Sequence, residues 1–119
     1  MKICLPCVND RGLDARLSPH FGSAPYFTVV DGETGAVEVT ANAHAVHDHG
    51  SCNPAGALVG LGVDVVVCRG LGGRALALLE QQGITVYRTE DWAAADAVNA
   101  FRVHRLPVMT LAHSCQHGH

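Results

Sequence analysis

The chain predicts an α/β domain: a single mixed, mostly parallel five-stranded sheet flanked by helices. Three observations carry that expectation. A hairpin signal lies in the first third, a nearly continuous valine run follows at 63–68, and helix and strand patterns alternate from there onward. At 119 residues with 48% hydrophobic content, the chain is one domain with enough apolar side chain for a core that needs no disulfide staples.

Residues 3–8 form a short apolar run that ends in the turn-like Asn9-Asp10-Arg11-Gly12, as a buried strand does. Residues 26–31 and 36–40 are β-branched and aromatic runs joined by Gly32-Glu33-Thr34-Gly35, a hairpin. Asn53 is a good N-cap with Pro54 at the first helical position, and Gly62 ends the apolar helix that follows. The run 63–68 is then a strand covered on both faces. Residues 71–82 read as a helix with Ala75, Leu76 and Leu79 on one stripe and Gly83 as its stop. Residues 84–88 are a fifth strand, and 91–103 an alanine-rich helix with Thr89 or Glu90 near its start. The order is β-β-β-α-β-α-β-α, over a domain of residues 1–106. The helical pattern stops at Leu106-Pro107, and residues 107–119 form a tail carrying His and Cys.

Charge and cysteine usage narrow the function. Eight Lys and Arg against eleven Asp and Glu give a net charge of −3 with no basic run, so a polynucleotide partner is not expected. No apolar run reaches bilayer-spanning length, and the N-terminal stretch is too short for a signal peptide, so the expected location is cytoplasmic, without membrane contact. There the five cysteines are free thiols or ligands rather than a disulfide framework, as their odd number suggests.

The chemistry-bearing residues cluster. His44, His47, His49 and Cys52 lie in one Gly/Ser-containing segment, and His113, Cys115, His117 and His119 in the tail. Imidazole and thiolate bind zinc, copper and iron–sulfur clusters, so the clustering points to metal handling; solvated polar loops are the bland alternative. Ligands of open α/β sheets sit outside the carboxyl ends of the strands near a switch in strand order. Cys7 ends the first predicted strand and Cys68 the fourth, so the two would face one crevice if those strands were neighbours. Cys4 and Cys7 form a C-x-x-C, but within a strand pattern, and Cys4 reads as core. Trp92, Phe101 and Leu106 read as packing residues.

Gly70-Leu71-Gly72-Gly73-Arg74-Ala75 follows a strand, opens a helix and fits the G-x-G-x-x-A form of a dinucleotide fingerprint, with Glu90 about 20 residues on. The chain lacks a second half for another mononucleotide. The preferred reading is a tight turn at a helix N-terminus that favours an anion, a phosphate or a negatively charged metal–sulfur cluster. No paired-carboxylate motif or recognisable Cys-His nucleophile pair accompanies it.

Met1-Lys2-Ile3 with Pro6, then residues 13–27 including Ser18-x-His20-Phe21-Gly22 and Ala24-Pro25-Tyr26-Phe27, then Gly62-Val63-Asp64-Val65-Val66, Gly70-x-x-Gly73 and Gly83-Ile84-x-Val86-Tyr87, resemble the dinitrogenase iron-molybdenum cofactor biosynthesis family over residues 1–103. That resemblance implies a ribonuclease H-like fold without nuclease activity. It also implies carriage or storage of iron–sulfur and iron–molybdenum cofactor precursors, with His20 and residues 44–52 on the cluster-facing side. Cys4, Cys7, Cys52, Cys68 and the tail are departures from the family pattern. The resulting expectation is a non-enzymatic protein of nitrogen-fixation type that binds, stores or delivers an iron–sulfur or iron–molybdenum–sulfur cluster. Cys7, Cys52 and Cys68 with His20, His47 and His49 would bind it, and Cys115 with His113 or His117 would close over it. Its partners would be cluster-donating or cluster-accepting proteins. A zinc, copper or nickel trafficking or sensing module is the alternative, and an enzyme using the glycine loop for a nucleotide is a third reading.

Overall fold

The computed structural model describes residues 1–42 and 58–109. Its strands are β1 (Lys2–Cys7), β2 (Tyr26–Asp31), β3 (Val37–Ala41), β4 (Val65–Cys68), β5 (Thr85–Arg88) and β6 (Val108–Met109), with helices α1 (Gly73–Gln81) and α2 (Ala94–Arg102). A 3-10 turn spans Gly12–Asp14, and residues 58–60 are helical.

All six strands form one sheet in the order β3-β2-β1-β4-β5-β6. The expected five-stranded, mostly parallel sheet is corrected in two respects. There is a sixth strand, and three of the five pairings, β1 with β2, β2 with β3 and β5 with β6, are antiparallel. Parallel neighbours need a crossover, usually a helix. Between β1 and β2 the only helical element is the three-residue 3-10 turn, so the chain returns antiparallel. The β1–β4 and β4–β5 pairs are parallel, and α1 makes the crossover between the latter. The sixth strand is two residues just past Pro107, whose carbonyl accepts a bond from the Arg88 N–H at 3.0 Å. So short a segment carries no periodicity to read.

The hairpin forms as its residues dictate. The Asp31 carboxylate accepts from the N–H groups of Glu33 (2.8 Å) and Thr34 (3.2 Å), which holds its pKa below the ordinary value, and Gly35 takes φ +78°. Both helices start later than their patterns suggest. Gly72 caps α1 in extended geometry, and Trp92 and Ala93 are bonded to the segment after β1, with Asp91 held by Arg69 and Thr89, instead of joining α2.

Strand alternation sorts the core into two layers. Cys4, Val66 and Cys68 pack with Phe21, Phe27, Leu58 and the α1 residues Leu76 and Leu79 on one face. Ile3, Leu5, Cys7, Val65 and Val67 pack with Leu17 and the α2 residues Ala94, Ala97 and Val98 on the other. The thiols of Cys4, Cys7 and Cys68 are free and fully buried. Burial pushes all three pKa values up, that of Cys68 to about 12, although the Thr28 hydroxyl at 3.4 Å from the Cys7 sulfur partly offsets the effect there.

Each helix ends in the same device. After α1, Ile84 N–H bonds the Leu79 carbonyl and Gly83 N–H that of Glu80, with Gly83 at φ +77°. After α2, Arg105 N–H bonds the Ala100 carbonyl and His104 N–H that of Phe101, with His104 at φ +58°. This is the Schellman arrangement, and His104 occupies the position that glycine fills without steric cost.

Two stability predictions follow from these features. His104→Gly should stabilise the protein by about 0.5–1 kcal/mol and Gly83→Ala should destabilise it by about 1 kcal/mol, measured as denaturant midpoints at unchanged slope. The Cys68 thiol is held protonated in the folded chain, so its contribution is complete below its ordinary pKa of 9.0 and is lost as pH rises toward about 12. Thermal melts between pH 8 and pH 11 should therefore show falling stability, and Cys68→Ala should flatten that slope while costing about 1 kcal/mol at neutral pH. An unchanged slope in the variant would assign the alkaline loss to other groups.

Candidate functional site

The site begins with a missing donor. Along β1, alternate residues turn their backbone polar groups toward β4: the Lys2 carbonyl accepts from Asp64 N–H at 2.9 Å, and Cys4 pairs with Val66. Pro6 is the next residue of that set and has no N–H to offer. The β1–β4 ladder ends at Cys4 and Val66. Beyond it the Pro6 carbonyl accepts from Ser18 N–H (2.9 Å), and Val8 N–H donates to the Arg16 carbonyl (2.9 Å). Residues 16–18 thus take the place of β4 at this end, bridging Cys7 through Leu17 and Ala93 through Arg16.

This gap lies where the strand order reverses, because β1 connects to one side of the sheet and β4 to the other. Ligands of α/β sheets gather at such a point. Two loops close over it. Ser18, nearly buried, donates its hydroxyl to the His20 carbonyl (2.9 Å) and accepts the His20 N–H (3.3 Å), leaving the His20 side chain exposed. Phe21 is buried against Phe27, with ring centroids 5.4 Å apart, and its N–H bonds the Gly70 carbonyl at 3.0 Å. A Cβ at Gly70 would sit 3.2 Å from the Pro19 carbonyl oxygen. Glycine at 70 is therefore explained by the approach of the His20 loop, without a nucleotide. Gly72, in contrast, faces open space just before α1 begins at Gly73.

The same edge receives the third strand. Cys7, Tyr26 and Ala41 are in register, so β3 ends beside the end of β1. Asn42 is held there by its backbone N–H to the Pro25 carbonyl and its side-chain amide to that of Ala24, each 2.8 Å. His44 follows two positions later in the sequence. The candidates His44, His47, His49 and Cys52 lie outside the described residues, as do His113, Cys115 and His117.

The structure thus brings together His20, Gly70, Gly72, Gly73 and the departure point of the 44–52 segment. It does not bring Cys7 and Cys68 together. Their strands are neighbours, but the two thiols lie in opposite layers of the core, each fully buried and protonated. Met109 pairs with Val86, so the antiparallel β6 carries the chain toward the opposite edge of the sheet. Among the described residues no group of three or more His, Cys, Asp or Glu is placed to hold a metal ion. Among them, too, no helix is long and apolar enough to cross a membrane.

Sequence reasoning missed the residues on the β5 side. Phe101 and Leu106 do pack on the core, but Trp92 is 42% exposed. The Arg69 guanidinium carbon lies 3.5 Å from its ring centroid and that of Arg16 4.4 Å. Arg69 Nη1 also donates to the Glu90 and Asp91 carbonyls. The available signal was the position of Arg69, directly between a buried strand and a glycine turn.

Comparison with known proteins agrees with this architecture. The family model for dinitrogenase iron-molybdenum cofactor proteins matches residues 1–103. An uncharacterized protein of Methanocaldococcus jannaschii is 30% identical over 105 residues, covering 85% of each chain. The apo form of the orange protein of Desulfovibrio gigas superposes with a TM-score of 0.85 at 31% identity, over 92% of both chains. A Thermotoga protein of the DUF35 family, provisionally described as NifB, gives 0.78 at 32% identity over 90% of this chain and 91% of its own. With 103 of its 119 residues matched, the chain belongs to the dinitrogenase iron-molybdenum cofactor family.

Proposed function

We propose that the protein binds a metal–sulfur cluster of iron–sulfur or iron–molybdenum type as cargo, without turning it over, and releases it to an acceptor protein. The observation that carries this reading is the convergence at one edge of the sheet. The exposed His20, the open turn at Gly72 and the exit of the chain toward His44 share the end of the sheet at which Pro6 interrupts the ladder.

The proposed ligands are His20, His44, His47, His49 and Cys52. Neutral imidazoles and one thiolate form a sparse set of exchangeable donors, which suits a carrier that must give up its cargo. The start of α1 adds backbone N–H groups near which negative charge is favoured. Cys7 and Cys68 are left out, because a ligand thiol must ionise and both are protonated within the core. The donors His113, Cys115 and His117 lie outside the described residues and are not counted in this set.

The test is anaerobic purification of the untagged protein, loading with iron, molybdate and sulfide, and measurement of metal, acid-labile sulfide and the visible spectrum. Metal with stoichiometric sulfide is expected in the native protein, and its absence in a variant with His47, His49 and Cys52 all changed to alanine. His20→Ala alone should weaken retention by roughly 10- to 100-fold. Full loading of the triple variant would remove the 44–52 segment from the site. Zinc or copper without sulfide would replace the cluster reading with metal-ion trafficking.

A further inference from the structure

We propose that β3 pairs antiparallel with β3 of a second copy of this chain, about a two-fold axis at Val39, to form a weak dimer with one continuous sheet. The inference concerns the edge of the sheet and is independent of the cargo.

The two outer strands are built differently. β6 is two residues long and follows a proline, and so short a strand offers little to pair with. β3 runs five residues in unbroken register with β2, without the proline, bulge or basic side chain that blunts an exposed edge. Its bonding parity is fixed at both ends. Asp31 N–H donates to the Ala36 carbonyl and Asn42 N–H to the Pro25 carbonyl, each at 2.8 Å, so the even-numbered residues of β3 bond β2. The N–H and C=O groups of Val37, Val39 and Ala41 therefore point off the sheet, and among the described residues they have no partner. The apolar layer also stops short there. A Cβ at Gly12 would sit 3.3 Å from Val37 Cγ1, yet Val37 remains 41% exposed.

A second copy is the occupant because the edge is complementary to itself. An axis at Val39 sets Val39 opposite Val39 and Val37 opposite Ala41, and each such pair exchanges both of its N–H···O bonds, so every open group of the edge is satisfied. Val39 then meets Val39 on the face that carries Val30, and Glu38 meets Thr40 on the face that carries Phe27 and Val29. No like charges lie directly opposite. Sliding the pair to centre on Glu38 sets two carboxylates against each other and leaves the Ala41 groups unpaired, so one register is selected. Ala41, at the site end of β3, would lie beside the second copy's hairpin turn, which places the two candidate sites at opposite ends of the shared sheet and leaves both open. One strand pair of this length covers less than the roughly 1,000 Å² of a stable interface, which makes the dimer a transient one.

The experiment combines sedimentation equilibrium with residue-resolved amide hydrogen exchange on the full chain, in reductant and chelator so that neither disulfides nor bridging metal ions link copies. Association is expected between about 10 µM and 1 mM. Over that range the Val37, Val39 and Ala41 amides should gain protection, while those of Glu38 and Thr40, bonded to β2, should be protected throughout. Thr40→Glu sets two acids opposite each other twice across the axis and should weaken association by about tenfold. Thr40→Lys should strengthen it in a salt-sensitive way by facing Glu38. Val39→Pro removes an N–H that bonds nothing within the described chain and should abolish association. A monomer at about 1 mM would overturn the proposal, and so would association that is indifferent to Thr40→Glu. Exchange of the three outward amides unchanged on association would assign the contact to another face. Their protection in dilute protein would assign the edge to a segment of the same chain; either result overturns the pairing.

Discussion

One missing N–H, at Pro6, organises the functional end of the molecule. In a central strand successive residues bond the two neighbours alternately, and a proline there removes a rung. Here the rung faces β4. The sheet parts along that line, and residues 16–18 enter and satisfy the groups left over. The consequence extends well past local geometry. The inserted segment positions the His20 loop on one side and presents Arg16 to Trp92 on the other. The polar backbone that the gap exposes is thus used to hold the side chains of the candidate site.

The rest of the sheet makes this end rigid. β1 is paired with β2 along all six of its residues, and both of its faces are covered by apolar layers, one under α1 and one under α2. Because the layers alternate by residue, a one-residue slip would exchange them completely. The three buried cysteines belong to this framework. They fill space as small apolar groups, and their burial keeps them from competing as metal ligands or oxidising readily. The division of labour is clear: core thiols support the scaffold, while the ligand-type His and Cys residues lie in segments joined to its edges.

Much of this architecture was legible in the sequence. β2 is Tyr26–Asp31, the span its residues indicate, and the turn through Gly32 and Gly35 closes the hairpin. Gly83 stops α1 as its position suggested, and the valine run supplied β4. What escaped was set by contacts distant in sequence. The wedge at 16–18 is recognisable only as a motif, since nothing local says that its backbone will replace a strand. Residues 91–93 read as helix until the bonds from Leu17 and Arg69 are seen. Trp92 looked like core because indoles usually are, and its arginine neighbours lie 76 and 23 positions away. The separation of Cys7 from Cys68 follows from strand parity, yet parity in each strand becomes a shared frame only once the Ile3–Val65 register is known.

The direction of β6 has a practical corollary. Strand pairing of Met109 with Val86 sets β6 antiparallel to β5, so the last described residues head away from the end of the sheet where His20 lies. A surface or label attached at Val108 or Met109 would meet the sheet at the edge strand farthest from β3. Attachment just after Asn42 would instead anchor the protein at the end of β3, beside the candidate site.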